Sequence, residues 1–363
     1  MLFSYALSMR VGMVVFANKW TGAGAVAELN CRALHRAGFD ARLHFVGGRN
    51  LERRLEAHPW AVPGLVKERR PADFRSNLES ITRLAEDCDV VICHLPHDHL
   101  LCVAAGIHRY IPLVRAFRNP RHIRRDPYHH YLNRRLAASL SAHSVLESDL
   151  RRSFPYLPTA VLAVPLEDRF RPVNGSRWRN RLGIPPDAPV IGAVGKLAKG
   201  RGIRLLLDTA AHLEAQAHVV VVGHGELQPE LERQGQKLGL VERVHWTGYQ
   251  DEALPDLYST MDVFVFTAPG SDWGHRAISE AQGCARPVVA VSCPGVEDLV
   301  EDGVTGRFVG RDPVALADAV SVLIKEPERS RRLGGAAADA AAQRRFAPVG
   351  ERLAVFLDGI LGG

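Results

Sequence analysis

Gly270-Ser271-Asp272-Trp273-Gly274-His275-Arg276-Ala277-Ile278-Ser279-Glu280 lies between two short apolar runs, Val263 to Phe266 and Pro287 to Val291. That order reads as strand, glycine-bearing loop, helix, strand. Asp272 and Glu280 are carboxylates eight residues apart, and the second sits one to two turns inside the helix. Free backbone N–H groups at a helix start favour an anion, and the helix dipole adds to the attraction. Carboxylates accept hydrogen bonds from sugar hydroxyls, so the segment has the chemistry to hold a phosphate and a polyol together. The same residues also fit a plain loop in which Asp or Ser caps the helix and Glu280 lies on a solvated face. The surrounding chain decides between the two.

Outward from this segment the same alternation continues. In the second half, strands are expected at Val190–Val194, His218–Val222, Val244–Thr247, Val263–Phe266 and Pro287–Val291, with helices at Arg201–Leu213, Leu227–Lys237, Glu252–Ser259, Arg276–Cys284 and Val314–Lys325. In the first half, strands are expected at Val11–Phe16, Ala41–Val46, Val90–His94, Pro112–Arg115, Ser144–Leu146 and Ala160–Val164. Helical patterns there include Gly24–Ala37, His99–Arg109, Pro127–Leu140 and Ser148–Phe154. Repeated βα alternation implies parallel sheets with helices on both faces, an α/β fold. A chain of 363 residues exceeds one ordinary hydrophobic core, and the strands are too many for one sheet, so two Rossmann-like, doubly wound domains are expected. The joint falls within Pro165 to Pro186, which has four prolines and no hydrophobic periodicity. Residues 1–167 form the first expected domain and 168–346 the second, with a helical segment at 347–363 crossing back onto the first.

Composition narrows the partners. Hydrophobic residues at 46% and charged residues at 24% fit a soluble globular protein, and no apolar run is long enough to span a bilayer. Met1 to Val15 lacks a basic leading segment and a cleavage site, and Met9 could be the true start, so a cytoplasmic location is expected. Six cysteines without C-x-x-C spacing read as small buried hydrophobes, and no metal-ligand spacing occurs among sixteen histidines; no metal is expected. The net charge of +6 is concentrated between Arg109 and Arg152, where Arg115, Arg118, Arg121, Arg124, Arg125, Arg134, Arg135, Arg151 and Arg152 cluster with His122, His129 and His130. Such a cluster suits phosphates or anionic lipid headgroups. No nucleic-acid motif accompanies it, so an anionic acceptor or an anionic membrane surface is expected and nucleic acid is not. A solvated basic face is the alternative.

Loops at strand ends carry the candidate chemistry. Gly195-Lys196-Leu197-Ala198-Lys199-Gly200-Arg201-Gly202 follows the Val190–Val194 strand and precedes a helix. Cations there oppose the helix dipole, so helix stability does not explain them, whereas a diphosphate would. Gly223-His224-Gly225-Glu226 ends the next strand, and Gly248-Tyr249-Gln250 the one after, where backbone groups could pair with a nucleobase edge; both also read as plain turns. Lys19-Trp20-Thr21-Gly22-Ala23-Gly24 follows the first strand without the full G-x-G-x-x-G spacing, which disfavours a nicotinamide cofactor. His94-Leu95-Pro96-His97-Asp98-His99 could bind an acceptor hydroxyl or move a proton. The alternative has Asp98 capping a helix among surface histidines.

Taken together, these segments resemble the large family-four group of retaining glycosyltransferases with the GT-B fold, the glycosyl transferases group 1. Val194-Gly195-Lys196-Leu197 through Arg201-Gly202 is similar to the group's V-G-R-L-x-x-x-K-G, with Arg and Lys exchanged. Gly223 to Gly225 is similar to its G-x-G turn, His245 to Gly248 to its F-x-G strand end, and Asp272 to Glu280 to its E-x7-E motif. Pro287-Val288-Val289-Ala290, Glu297 and Gly303 to Gly306 follow its P-V-V-A, E and D-G-x-x-G succession. The likeness covers about Val190 to Phe346. The first half is looser. Gly22 fills the second place of a Gly-Gly loop, Pro165 to Pro172 resembles the interdomain signature without its N-G, and Arg118 replaces a His.

The resemblance implies two Rossmann-like domains facing a central cleft, with a nucleotide-diphosphate sugar on the second and a glycan or lipid-linked acceptor on the first. It implies that Lys196 and Arg201 neutralise the departing diphosphate, assisted by the Gly22 amide, and that Glu280 holds the ribose. Asp272 and the backbone of Trp273, Gly274, His275 and Arg276 would hold the sugar. Gly195, Gly223, Gly225, Gly248 and Tyr249 would line the donor site, while His97, His99 and Arg118 are acceptor-side candidates. No cofactor is implied beyond the donor itself. The expected context is lipopolysaccharide or other cell-surface glycan assembly, peripheral at the inner membrane. Rival readings are an epimerase of nucleotide sugars on the same fold and a non-catalytic nucleotide-sugar-binding protein.

Overall fold

The structure, a computed structural model, describes residues 9–20, 22–118, 123, 127–214, 216–269 and 272–362. The chain divides into two compact units, Met1–Pro165 with Arg344–Gly363, and Leu166–Gln343.

The first unit runs β1 (Arg10–Val15), α1 (Ala23–Arg36), β2 (Asp40–Val46), α2 (Asn50–Leu55), β3 (Ala61–Leu65), α3 (Pro71–Glu86), β4 (Val90–Cys93) and α4 (Pro96–Ala104). It continues with β5 (Leu113–Phe117), α5 (Pro127–Asn133), β6 (Ala138–Ser141), α6 (Ser144–Ser153) and β7 (Thr159–Val161). Its strands form one seven-stranded parallel sheet in the order β3-β2-β1-β4-β5-β6-β7. The chain winds outward in both directions from β1 and β4, so the switch point lies between those strands.

Three expectations in this unit are corrected. The strand expected at Ser144–Leu146 is the first turn of α6, and the helix expected over Pro127–Leu140 stops at Asn133. The true strand, β6, is Ala-Ser-Leu-Ser, which has no β-branched residue; it is held by parallel pairing of Ala138 with Val114 and Leu140 with Ala116. Tertiary pairing here overrides weak local preference. The last strand is Thr159–Val161 rather than Ala160–Val164, and β3 was not expected at all.

The second unit runs α7 (Ser176–Arg181), β8 (Val190–Val194), α8 (Ile203–Ala211), β9 (His218–Val222), α9 (Gln228–Lys237), β10 (Val244–Trp246) and α10 (Leu254–Thr260). It continues with β11 (Val263–Phe266), α11 (Asp272–Gly283), β12 (Val288–Val291), β13 (Gly306–Val309), α12 (Pro313–Lys325) and α13 (Pro327–Ala342). Six parallel strands lie in the order β10-β9-β8-β11-β12-β13, with the switch point between β8 and β11. Val-rich strands suit a sheet buried on both faces. Val220, Val222, Phe264, Phe266 and Val288 pack with Leu257, Ile278 and Ala281 on one face. Their neighbours Val219, Val221, Val263, Val265 and Val289 pack with Leu206, Leu207, Leu316 and Val320 on the other.

The final helix, α14 (Phe346–Leu361), belongs to the first unit, where Leu353 and Leu357 are buried and the Arg32 guanidinium of α1 stacks 4.6 Å above the Phe346 ring. All six cysteines are buried free thiols. No helix among the described residues is long and apolar enough to cross a membrane.

Candidate functional site

At the carboxyl edge of the second sheet, three loops are tied to one another by backbone bonds, and the segments after β11 and β12 are joined by side-chain bonds. The loop after β8 pairs with the loop after β9 through Gly195 N–H to the Val222 carbonyl (2.9 Å) and Leu197 N–H to the His224 carbonyl (3.0 Å). Gly223 N–H in turn donates to the Gly248 carbonyl at 2.8 Å, which joins the loop after β10. Gly223 has φ +136, and a Cβ there would stand 2.0 Å from the Gly195 carbonyl oxygen, so only glycine permits this approach. On the other side of the switch point, the Thr267 hydroxyl donates to the Gly202 carbonyl at 2.9 Å, joining the loop after β8 to the end of β11. Cys293, after β12, donates its thiol to the Ala268 carbonyl.

This frame displays a basic segment. Lys196 and Lys199 are exposed and Arg201 is half-buried, immediately before the start of α8. Lys196 Nζ lies 3.5 Å from Glu226 Oε2, and both side chains are open to solvent. The amide nearby and the Lys196 charge hold the Glu226 carboxyl below its ordinary range. The Tyr249 ring, exposed, meets the His224 ring edge-on at 5.9 Å. Opposite them, across the switch point of the same sheet, α11 begins at Asp272. Gly270 and Ser271 lie outside the described residues. Trp273 and Gly274 follow Asp272 in the first turn of α11, and His275 is buried with its ring 6.0 Å from Phe266.

Glu280 is not on a solvated face. It is 4% exposed, and its Oε2 accepts the Tyr258 hydroxyl at 2.8 Å, while Arg276 Nε lies 2.6 Å from its Oε1. Burial raises the Glu280 carboxyl above its ordinary range, opposed by the Arg276 charge and the Tyr258 hydrogen bond. Burial and the neighbouring carboxylate likewise push the Tyr258 hydroxyl well up, so it remains a donor. The network extends further. Glu167 Oε1 accepts from Arg276 Nη2 at 3.0 Å and from Arg169 Nη2 at 3.2 Å, and Arg169 reaches the Asp251 carboxylate at 2.5 Å. Arg276 was expected from the sequence only as a backbone contact for the sugar, so the pairing of its side chain with Glu280, one turn on along α11, is a finding of the structure. Glu167, Arg169, Asp251, Tyr258 and Thr267 were also missed, because contacts such as Glu167 to Arg276 join residues 109 apart.

The switch point of the first unit is organised by Asp98. Its carboxylate accepts backbone N–H bonds from Phe16 at 2.7 Å, His94 at 3.0 Å and Leu95 at 2.6 Å, so it links the end of β1 to the end of β4. Complete burial nonetheless raises its pKa to about 7. Gly22 (φ +53) precedes α1 in the loop after β1; Thr21 lies outside the described residues. His97 is part-exposed, pairs with Glu68 at 3.1 Å and meets the Phe16 ring edge-on. The idea of surface histidines around Asp98 is corrected: His94 and His99 are 1% and 0% exposed. Burial beside arginines lowers both to about 3. Arg115 and Arg118, grouped with the surface arginines from the sequence, are also buried, and Arg115 packs its guanidinium 4.3 Å over the Phe117 ring. They end up inside because they sit in and directly after β5, a strand enclosed between neighbours. Arg121, His122, Arg124 and Arg125 lie outside the described residues. Among the described residues no group of three or more His, Cys, Asp or Glu is placed to hold a metal ion.

Two doubly wound parallel sheets in one chain, each with its loops gathered at a switch point, define the GT-B class. The Anabaena HepE protein, solved in complex with UDP and glucose, has the same fold, with a TM-score of 0.80 at 20% identity over 97% of this chain and 100% of that one. Residues 188–326 match the family described as Glycosyl transferases group 1. A D-inositol 3-phosphate glycosyltransferase of Xylanimonas cellulosilytica is 35% identical over 175 residues, 46% of this chain and 41% of that relative. An alpha-D-kanosaminyltransferase of Streptomyces kanamyceticus is 31% identical over 234 residues, 61% of this chain and 60% of that relative. The matched stretches thus span about half the length of these curated relatives. The match to the glycosyl transferases group 1 lies within the second unit, over the stretch whose motifs resemble that group.

Proposed function

We propose that the protein is a glycosyltransferase that moves a sugar from a nucleotide-diphosphate sugar to an acceptor hydroxyl with retention of configuration. The observation that carries this reading is the basic segment Lys196 to Arg201, bound to the loop after β9 and, through Gly202, to Thr267 at the end of β11, the strand that leads into α11. The relatives' transferase names and the UDP bound to HepE support it. In this reading Lys196 and Arg201 neutralise charge building on the departing diphosphate, Glu280 binds the ribose, and Asp272 with the first turn of α11 binds the sugar. Fixed cations aimed at developing charge are commonly the largest catalytic term. The transition state is oxocarbenium-like, and with no carboxylate pair assigned as nucleophile and acid, the acceptor attacks on the leaving-group face. Activity is expected to persist in chelator.

On the acceptor side we propose a molecule with an anionic group, taken near Arg118. The buried Arg115 and Arg118 at the end of β5 support this, as does the phosphorylated acceptor in the name of the inositol phosphate relatives. A lipid-linked glycan at an anionic membrane surface is the form favoured by one further observation. Tyr110, Tyr128 and Tyr131 are 59%, 49% and 53% exposed, close in sequence to the exposed Arg109 and Arg134. Tyrosine and arginine together suit a lipid interface.

The test begins with a thermal-shift screen of UDP, GDP, ADP and their sugars, because a ligand at 100 times its Kd adds about 2.7 kcal/mol. Transfer assays with the donor so found then follow product anomers by NMR. Release of free nucleotide only when acceptor is present would exclude an epimerase, and an inverted product would sink retention. Cosedimentation with vesicles that ignores anionic lipid content and salt would remove the membrane reading.

A further inference from the structure

We propose that Glu167 is a positioning residue for nucleotide binding: it holds Arg276 so that Glu280 keeps free acceptor positions for the two ribose hydroxyls. This rests on the reading of Glu280 as the ribose residue.

An arginine four residues before a glutamate on the same helix is placed to bind it with two parallel N–H bonds, which would occupy both carboxylate oxygens. In α11 that does not happen. Arg276 offers Glu280 its Nε, at 2.6 Å from Oε1, while its Nη2 turns to Glu167 Oε1 at 3.0 Å. Glu280 Oε2 is left to the Tyr258 hydroxyl. A carboxylate has about four acceptor positions, so one bond on each oxygen leaves room for a vicinal diol. Glu167 is itself fixed: its side chain is 7% exposed, and the same Oε1 takes Arg169 Nη2, whose guanidinium is anchored on the Asp251 carboxylate and on the Asp251 carbonyl at 2.7 Å.

The signs alternate along this row, Asp251, Arg169, Glu167, Arg276, Glu280, so each charge has an opposite neighbour. Buried ion pairs of this kind add little net stability over apolar packing, because desolvation offsets the attraction. Their contribution here is geometric. Glu167 fixes which nitrogen of Arg276 faces Glu280, and thereby the plane in which Glu280 presents its oxygens.

The test compares affinity for the ribonucleoside diphosphate that best stabilises the wild type (from UDP, GDP and ADP) with affinity for its 2′-deoxy analogue, by calorimetry. Wild type is expected to prefer the ribonucleotide by about tenfold, the scale of one charge-assisted hydrogen bond. Glu167→Ala should reduce that preference to less than about threefold, and Glu167→Gln, whose amide oxygen still accepts from Arg276, should retain most of it. A purely structural Glu167 would lower the melting temperature and weaken both nucleotides equally; a Glu167→Ala protein with the wild-type ratio overturns the inference. If the alanine variant does not fold, Glu167→Asp, with its shorter reach to Arg276, must lower the ratio for the inference to stand. Failure of the underlying reading looks different: wild type would show no preference, or Glu280→Gln would keep it, and the inference would fall with it.

Discussion

Gly202 and Thr267 clamp the two strands that part at the switch point of the second sheet. The Thr267 hydroxyl donates to the Gly202 carbonyl at 2.9 Å, and a Cβ on Gly202 would stand 2.2 Å from the Thr267 carbonyl oxygen. Gly202 also has φ +79, a conformation that costs other residues about 1–3 kcal/mol. Gly202→Ala is therefore expected to push the loop of Lys196 and Arg201 away from β11, with a loss of at least about tenfold in nucleotide affinity and a lower melting temperature. Thr267→Val, which keeps shape but loses the donor, should cost about 1 kcal/mol of stability. Calorimetric affinity at the wild-type level in Gly202→Ala would show that this clamp does not set the loop.

Lys196 and Arg201 offer the most direct check on the proposed chemistry. Lys196→Ala removes a side chain whose ion pair with Glu226 is solvent-exposed, so folding should be untouched. Transfer should drop about 10²–10³-fold for either alanine variant, as for loss of other groups aimed at developing charge. Lys196→Arg should recover part of the rate, although its planar fork meets phosphate differently. Unchanged turnover of a confirmed donor in both alanine variants would remove the diphosphate assignment.

What could be read from the sequence followed from how each residue is held. The inner strands of the second sheet announce themselves because both faces are buried, as in Val219 to Val222 and Val263 to Phe266. The strands missed, β3 and β13, are edges: β3 carries Pro63, and β13 is only partly buried. β6 was misread because Ala and Ser have no strand preference and its existence depends on β5 beside it. The capping role of Asp98 was legible from its place in Leu95-Pro96-His97-Asp98. The burial of His94 and His99 was not, since it depends on elements distant in the chain. In the same way Asp272 and Glu280 were legible as a motif, whereas the environment of Glu280 comes from Tyr258 and Glu167, which no local pattern connects to it.

Glu280 should separate binding from folding. Glu280→Gln keeps an oxygen for one partner but loses the charge that Arg276 faces. Nucleotide affinity is expected to fall about tenfold, with the ribonucleotide affected more than its 2′-deoxy analogue. Tyr258→Phe leaves Glu280 Oε2 without its buried donor and should destabilise the second unit by about 1.5–3 kcal/mol, read as a shift in urea midpoint at unchanged slope. A Tyr258→Phe midpoint equal to wild type would mean that the hydroxyl contributes nothing to holding the carboxylate.

The first unit is expected to lose stability in mild acid. His44 is lowered to about 4, and His94 and His99 to about 3, chiefly by burial, so all three are neutral when folded and titrate near 6.5 when unfolded. For each, stability is complete above pH 6.5 and is lost as pH falls toward the folded value, because only the unfolded chain takes up the proton. Asp98 acts in the opposite sense. Its folded pKa of about 7 exceeds the ordinary carboxylate value of 3.8, so its contribution is complete below the lower value and fades as pH rises toward 7. Three histidines outweigh one aspartate, and the net slope between pH 6 and pH 4.5 should approach about 2–3 kcal/mol per pH unit. Urea titrations at several pH values measure this directly. His44→Gln should flatten the fall by about one proton, and Asp98→Asn should make it steeper by removing the opposing uptake. A flat wild-type profile, or a shallower one in Asp98→Asn, would contradict neutral buried histidines in this unit.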